Sequence, residues 1–148
     1  MRTSDQLAKI KNLIIQQCDD WAKESNVIIT ADHSGVTGMG LVYLTVANDG
    51  GNILPYGDGQ LFHSWSLSVG VHYNLNVDQQ NKYSKLTTTI TDYAEKVINA
   101  LHMVEDSLWY EPIKFQSYSA VDIDKNTNWA TVKLKFTVVQ VEYFPNLR

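Results

Sequence analysis

Hydrophobic and polar residues alternate from residue 61 to residue 77 with almost no error. One parity carries Leu61, His63, Trp65, Leu67, Val69, Val71, Tyr73, Leu75 and Val77, and the other carries Phe62, Ser64, Ser66, Ser68, Gly70, His72, Asn74 and Asn76. Successive side chains of a strand point to opposite faces, so the pattern predicts one long strand with an apolar face and a small, uncharged face. At about 3.3 Å per residue the run reaches roughly 55 Å. That length predicts a strand that leaves its own core to build an assembly.

Two stretches repeat hydrophobic residues every three or four positions and predict amphipathic helices. The first begins at the capping candidates Thr3 or Ser4 and is expected to end near Glu24 or Ser25. The second is expected over residues 85–102. The apolar stripes are Leu7, Ile10, Ile14, Cys18 and Trp21 in the first helix, and Leu86, Ile90, Tyr93, Ala94, Val97, Ile98 and Leu101 in the second.

Shorter patterns predict the remaining elements of the first half. Residues 27–30 and 41–47 are apolar and predict two strands, separated by a flexible, glycine-containing stretch over residues 31–40. The Asp-Gly-Gly sequence at 49–51 is a strong turn signal. Residues 55–59 predict a second loop before the long strand.

The end of the chain contains an interruption of its alternating pattern. Residues 113–123 and 129–144 predict two strands joined by a hairpin loop over residues 124–128. In the last strand the apolar parity changes after Val138, so that Val139, Val141 and Tyr143 become the apolar set. A one-residue shift exchanges faces, which predicts a bulge near Val138 and Val139. Alternatively, the end of this strand buries a different face against another subunit.

The order of these elements predicts an α+β fold. A mainly antiparallel, twisted sheet is packed by two helices, and long strands extend from the core. The length of 148 residues suits a single domain over residues 1–148.

Composition narrows the class of protein. Hydrophobic residues make up 44% and charged residues 19%, which is typical of a globular chain. The net charge of −4 argues against a basic surface that grips nucleic acid, although DNA is free to pass such a protein. No apolar run is long enough for a membrane span, and the N-terminus lacks the pattern of a signal peptide. Cys18 is the single cysteine, which excludes an intrachain disulfide and favours a reducing compartment.

Candidate chemistry is weak throughout the chain. The three residue types of a catalytic triad occur side by side at Asp32, His33 and Ser34. Three consecutive side chains do not ordinarily form the geometry of a triad. Residues 122–128 begin like a calcium loop, yet Thr127 stands where that loop needs glycine. His63 and His72 have opposite parity and therefore cannot share a metal. We predict no catalytic residue, no metal site and no cofactor, and therefore no enzyme.

The second half of the chain resembles the tail terminator (tail completion) proteins of long-tailed bacteriophages. The resemblance lies in the order of an alternating strand at 63–69, a helix containing 93–101, a strand around 115–117 and a closing strand at 130–138, separated by loops. The amino-terminal helix also fits. The resemblance implies a structural virion protein, assembled in the host cytoplasm, whose hexameric ring caps the tail tube. It further implies contacts with the tail tube protein and a head–neck connector protein, with DNA at most passing through the ring and no membrane involved.

For such a ring we predict contacts by sheet extension and by side-chain packing between subunits. The loops at 31–40 and 52–60 are expected to meet the tube or the neck. The predicted interface residues are Ser64, Ser66, Ser68, His72, Val139, Val141, Tyr143 and Phe144. The alternative is a small-molecule-binding domain or enzyme with a pocket under the curved sheet, lined by Trp65, Tyr73, His63 and Tyr93.

Overall fold

A computed structural model describes residues 3–18, 26–29, 42–57, 60–76 and 86–143. Two helices and six strands lie in these residues. In chain order they are α1 (Thr3–Cys18), β1 (Val27–Ile29), β2 (Val42–Gly57), β3 (Gln60–Asn74), α2 (Leu86–Leu101), β4 (Lys114–Tyr118), β5 (Asp122–Asp124) and β6 (Trp129–Tyr143).

The six strands form one mixed sheet in the order β1-β2-β3-β6-β4, and β5 also pairs with β6. β1 runs parallel to β2, and every other pairing is antiparallel. The predicted α+β fold is confirmed, and the sheet is not closed into a barrel. The long alternating strand is β3, which lies between β2 and β6 and pairs with β6 along its whole length.

One face of the sheet, here called the core face, carries the apolar parity of β3 and is covered by the two helices. Every second residue of the strands and every third or fourth residue of the helices is apolar. These side chains lie on the facing surfaces of the sheet and the helices and pack together as the core. The largest fully buried core-face side chains of the sheet are Trp65, Leu67, Tyr73, Leu44, Leu134 and Phe136, and those of the helices include Ile10, Ile14 and Leu101.

The helix boundaries agree with the predicted ones where the structure describes them. α1 is described up to Cys18, and the predicted end near Glu24 or Ser25 lies outside the described residues, as does the stretch at 31–40. α2 ends at Leu101. Met103 then adopts a left-handed backbone with φ of 63°, and its N–H donates to the carbonyl oxygen of Ile113 at 2.6 Å. This backbone reversal turns the chain back towards the sheet.

The turn predicted at residues 49–51 is wrong, because β2 continues through it to Gly57. One extra residue of β2 is accommodated between Asn48 and Gly51, which makes a β-bulge. Gly50 has a φ of 97°, and a Cβ on Gly51 would lie only 2.2 Å from the carbonyl oxygen of Ser64. The glycines are therefore needed for a bulge and a close strand approach. The loop predicted at 52–60 is likewise strand from Asn52 to Gly57.

The bulge predicted in β6 is also wrong. Each residue from Trp129 to Tyr143 pairs with one residue of β3 in unbroken register. The single strand predicted over residues 113–123 is instead divided into β4 and β5, and the predicted hairpin loop then joins β5 to β6.

Neither described helix combines the length and the hydropathy that crossing a membrane requires.

Candidate assembly surface

The second face of the sheet, here called the opposite face, carries the polar parity of β3 and its partners. Along β3 these are Phe62, Ser64, Ser66, Ser68, Gly70, His72 and Asn74, which lie opposite Val141, Val139, Thr137, Lys135, Lys133, Thr131 and Trp129 of β6. The character of this face changes along the strands, from buried polar side chains at one end to exposed apolar side chains at the other.

At its buried end, the opposite face is organised around His72, which is 3% exposed. Its Nε2 lies 2.9 Å from Thr45 Oγ1, and its Nδ1 lies 2.9 Å from Thr131 Oγ1. The imidazole stacks on Tyr43 with ring centroids 4.7 Å apart, and Tyr43 meets Trp129 edge-on at 4.8 Å. Hydrogen bonds across three strands thus satisfy a polar ring that would otherwise be costly to bury.

Gly70 makes room for this arrangement. A Cβ at this position would lie 2.6 Å from both His72 Nε2 and Thr45 Oγ1. Such distances are shorter than any normal non-bonded contact, so a side chain would force the two hydrogen-bonding groups apart. The glycine on the polar parity of β3 therefore serves the packing within the chain itself.

At the other end, four side chains from three strands and one loop form a continuous surface, here called the apolar patch. Leu54 of β2, Phe62 of β3 and Val141 of β6 lie side by side in register. Tyr110 packs edge-on against Phe62 with ring centroids 5.5 Å apart, and its N–H donates to the carbonyl oxygen of Val139 at 2.7 Å. Leu54 is 58% exposed and Tyr110 55% exposed. A cluster of apolar side chains that solvent can reach is typical of a contact surface.

The apolar patch explains the change of parity in β6 without a bulge. Val139 and Val141 are apolar because the opposite face becomes apolar towards the end of the sheet, while Val138 still belongs to the core face. Only Val141 of the patch was among the predicted interface residues. Leu54, Phe62 and Tyr110 were missed, although the change of parity was a signal of this second cluster.

The other predicted interface residues lie in three different settings. Ser64, Ser66 and Ser68 are half-buried and lie between the two ends of the opposite face. Lys135 lies opposite Ser68 on β6, and its Nζ lies 3.2 Å from a carboxylate oxygen of Asp49, so an ion pair between β2 and β6 crosses this region.

His72 and Val139 are 3% and 4% exposed, so neither has surface of its own to contribute to a contact. Tyr143 ends β6 opposite Gln60, and its side chain, like all of Phe144, lies outside the described residues.

The edges that β2 and β4 form are poorly suited to pairing with another strand. The edge of β2 beyond its pairing with β1 contains the bulge at Asn48 and Gly51, followed by Pro55, which has no N–H to donate. β4, at the other edge, is also irregular, between Phe115 and Ser117. Bulges and prolines are the usual protection of exposed edges. The faces of the sheet are therefore better contact surfaces than its edges.

A groove of about 360 Å³ lies between α2 and the segment that joins β4 to β5. Its main apolar lining consists of Ile90, Ala94, Ile98, Tyr118, Val121, Val132 and Leu134, and its polar lining consists of Thr91, Glu95 and Ser119. None of the residues predicted to line a small-molecule pocket contributes to it. Two of them, Trp65 and Tyr73, are each 1% exposed and fill the core.

Side chains that could ligate a metal are scattered among the described residues. Within them, no group of three or more His, Cys, Asp or Glu side chains comes together as a metal site. His63 is half-buried, and its Nδ1 lies 3.3 Å from Nε2 of Gln140. At the start of the loop that mimics a calcium site, the Asp124 carboxylate accepts the N–H of Asn126 at 2.9 Å, as in an ordinary turn.

Two pKa shifts have local structural causes. The pKa of Asp106 is lowered, first by the N–H of Leu108, which its carboxylate accepts at 3.0 Å, and then by Lys9 at 3.6 Å. The pKa of Tyr93 is raised by burial and by the charge of Asp92. Neither group is part of a cluster that suggests acid–base chemistry.

Comparisons with known proteins define the fold but no sequence family. No family model matches the chain, and no curated protein matches its sequence. Among solved structures, a chain from the virion of a native gene transfer agent particle has a similar fold, with a TM-score of 0.57 and 11% identity. The match covers 92% of this chain and 98% of that chain. At this identity the likeness shows a common fold along nearly the whole length of both chains.

Proposed function

We propose that this protein is a structural virion protein, a ring-forming subunit of the tail terminator or neck type. The observation that carries the proposal is the fold shared, over nearly its whole length, with a chain of a gene transfer agent virion. A fold alone does not fix a function, so the surface of the subunit must supply the mechanism. Its partners in this proposal are further copies of itself, the tail tube protein and a head–neck connector protein.

The apolar patch supports self-assembly through a face of the sheet. Leu54 and Tyr110 are more than half exposed, and burying them removes apolar area from water. Assembly through a face also agrees with the irregular edges of β2 and β4, which disfavour the sheet extension expected from the length of β3. The contribution of the long strands is then to carry the patch beyond the helices.

The patch is too small to hold two copies together by itself. Four side chains cover on the order of 300 Å², whereas a stable interface needs roughly 800 Å² from each partner. Closing a ring compensates for weak individual contacts, because each subunit is held on two sides. We therefore expect assembly that depends steeply on concentration, or on a tail tube that gathers the subunits.

The test compares two neighbouring side chains of β2. Leu54 and Ile53 are 58% and 56% exposed, but successive residues of a strand lie on opposite faces, so only Leu54 belongs to the apolar patch. We expect Leu54→Ser to abolish rings seen by negative-stain electron microscopy and by light scattering, alone or with tail tube protein. Ile53→Ser is the matched control and should still form them.

Two outcomes contradict the proposal. If the full-length protein stays monomeric at high concentration and also with tail tube protein, it does not form the proposed ring. If the Leu54→Ser protein forms rings as well as the Ile53→Ser protein does, the apolar patch is not part of the ring interface.

A further inference from the structure

The groove between α2 and the β4–β5 segment is a second apolar surface on the same chain. Tyr118 and Val121 form part of its wall and are 73% and 40% exposed. Ala94 lies in the middle of the α2 wall, and its small side chain leaves the groove open. A concave apolar surface bounded by exposed aromatic and aliphatic side chains is a suitable receptor for projecting apolar side chains.

We propose that this groove binds the apolar patch of a second copy of the chain, with Leu54 and Tyr110 as the inserted side chains. The inference rests on the proposed ring and names the surface that each subunit offers to its neighbour. The two surfaces are complementary in form and chemistry, because the most exposed residues of the patch project and the groove is concave.

A subunit cannot bring its own patch to its own groove. Val132 and Leu134 of the groove lie on the core face of β6, whereas Val141 of the patch lies on the opposite face of the same strand. The two sites are also about 25 Å apart along β6, at about 3.3 Å per residue. A contact between them therefore joins different copies.

Such a contact is heterologous, since it pairs two different surfaces of identical chains. Heterologous contacts repeat from copy to copy and either close into a ring or continue as a filament. Patch-to-patch contact would instead be isologous and would stop at a dimer. The patch and groove together thus provide the kind of interface that a ring requires.

The polar side chains of the groove suit Tyr110 as an inserted residue. Thr91 and Glu95 supply oxygen atoms that can accept a hydrogen bond from a tyrosine hydroxyl. A tyrosine places a broad apolar ring in such a site while its hydroxyl group remains hydrogen-bonded.

Cysteine cross-linking between two singly substituted proteins tests the pairing directly. Cys18→Ser is included in both proteins so that only the engineered thiols react. One protein carries Asn52→Cys, at an exposed position of the opposite face two residues from Leu54, and the other carries Val121→Cys. The two proteins are mixed with a short bismaleimide after assembly. We expect an Asn52→Cys/Val121→Cys heterodimer on a denaturing gel, at least tenfold above the product of Ile53→Cys mixed with Val121→Cys.

The possible outcomes distinguish a failure of the groove contact from a failure of the proposed ring. Rings that yield no heterodimer, or only an Asn52→Cys homodimer, overturn the groove while leaving the proposed function intact. The absence of both rings and cross-links, with tail tube protein present, overturns both. A small apolar molecule that co-purifies in native mass spectrometry and is lost in Ala94→Trp would make the groove a ligand site and overturn its role in assembly.

A substitution that fills the groove provides an independent measurement. Ala94→Trp should raise the concentration needed for ring formation at least tenfold, because the indole occupies the space of the inserted residues. Asn99→Trp, at an exposed position of α2 outside the groove, is the matched control and should leave that concentration unchanged. Equal assembly of the two variants, both folded by circular dichroism, would contradict the inference.

Discussion

The two ends of the opposite face are built from the same three strands but use opposite chemistry. At one end His72 is almost inaccessible and hydrogen-bonded to threonines on both neighbouring strands. At the other end Phe62, on the same face of the same strand, lies in a patch that solvent reaches. The polar residues therefore stabilise the folded chain, and the apolar patch contains two side chains that are more than half exposed, Leu54 and Tyr110. From polarity alone, the polar residues would have been assigned to an exposed surface and the apolar residues to the interior.

The largest expected effect is at the buried end. His72→Ala removes both threonine contacts and the stacking on Tyr43, and it leaves a cavity between strands. We expect the free energy of unfolding to fall by about 3 kcal/mol in urea titrations. Ser68→Ala, on the same face, is the control and should change it by less than about 0.5 kcal/mol. If both variants lose a similarly small free energy of unfolding, His72 does not stabilise the fold in the way that the comparison of the two ends requires.

Gly70→Ala tests whether the glycine serves the His72 hydrogen bonds. The new Cβ displaces His72 or Thr45, and we expect a loss of about 2 kcal/mol. In the His72→Ala background the same substitution should cost less than about 1 kcal/mol, because the closest obstacle is gone and Thr45 is free to rotate. This double-mutant cycle measures the coupling, and strictly additive losses would contradict the interpretation.

At the exposed end the effect on stability should be smaller. Tyr110→Ala removes the edge-on contact with Phe62 and should lower the free energy of unfolding by about 1 kcal/mol. For the proposed ring its effect should be much larger, with assembly lost at the concentrations where the unsubstituted chain is expected to form rings. Sedimentation velocity and chemical unfolding of the same preparation compare the two quantities, and a loss of stability without a loss of assembly would contradict this prediction.

The smallest effect is expected at Asp106, in the loop that leads to Tyr110. Folding lowers its pKa below the ordinary value of 3.8, so its stabilisation is present above that pH and is lost as the pH falls through the folded-state pKa. The carboxylate is partly exposed, and solvent screening limits the contribution to about 0.5 kcal/mol. Asp106→Asn should therefore be less stable near neutral pH, and thermal unfolding should show the difference vanishing at acid pH. A constant difference at every pH would show that the charge is not its cause.

Local patterns in the sequence predicted the elements that depend on local chemistry. The alternation around Trp65 and the helical periodicity of α2 each describe one face of one element, so a single segment was enough. The turn at 49–51 failed because glycine serves a bulge as well as a turn, and the closeness of Gly51 to Ser64 arises only when β2 and β3 pair. Both readings of that segment were compatible with its residues.

No local pattern in the sequence could have predicted the apolar patch. Its members come from β2, β3, β6 and the loop before β4, and only the register of three strands brings Leu54, Phe62 and Val141 into one row. The change of parity in β6 indicated that its end was unusual, and one of the two explanations considered was burial against another subunit. The unbroken register of β6 excludes the bulge, and burial against another subunit stays a prediction. Tyr110, which packs against Phe62 from a distant part of the chain, completes the patch.

The pairing of β3 with β6 also has a consequence for biosynthesis. β3 joins its second neighbour only after the long segment containing α2, β4 and β5 has been made. Contacts so distant along the chain form slowly, and the sheet cannot be completed while β6 is still on the ribosome. Since Val141 belongs to the last described strand, a prematurely terminated chain would lack both its folded centre and its contact surface. The apolar patch therefore exists only on chains that have been synthesised through β6.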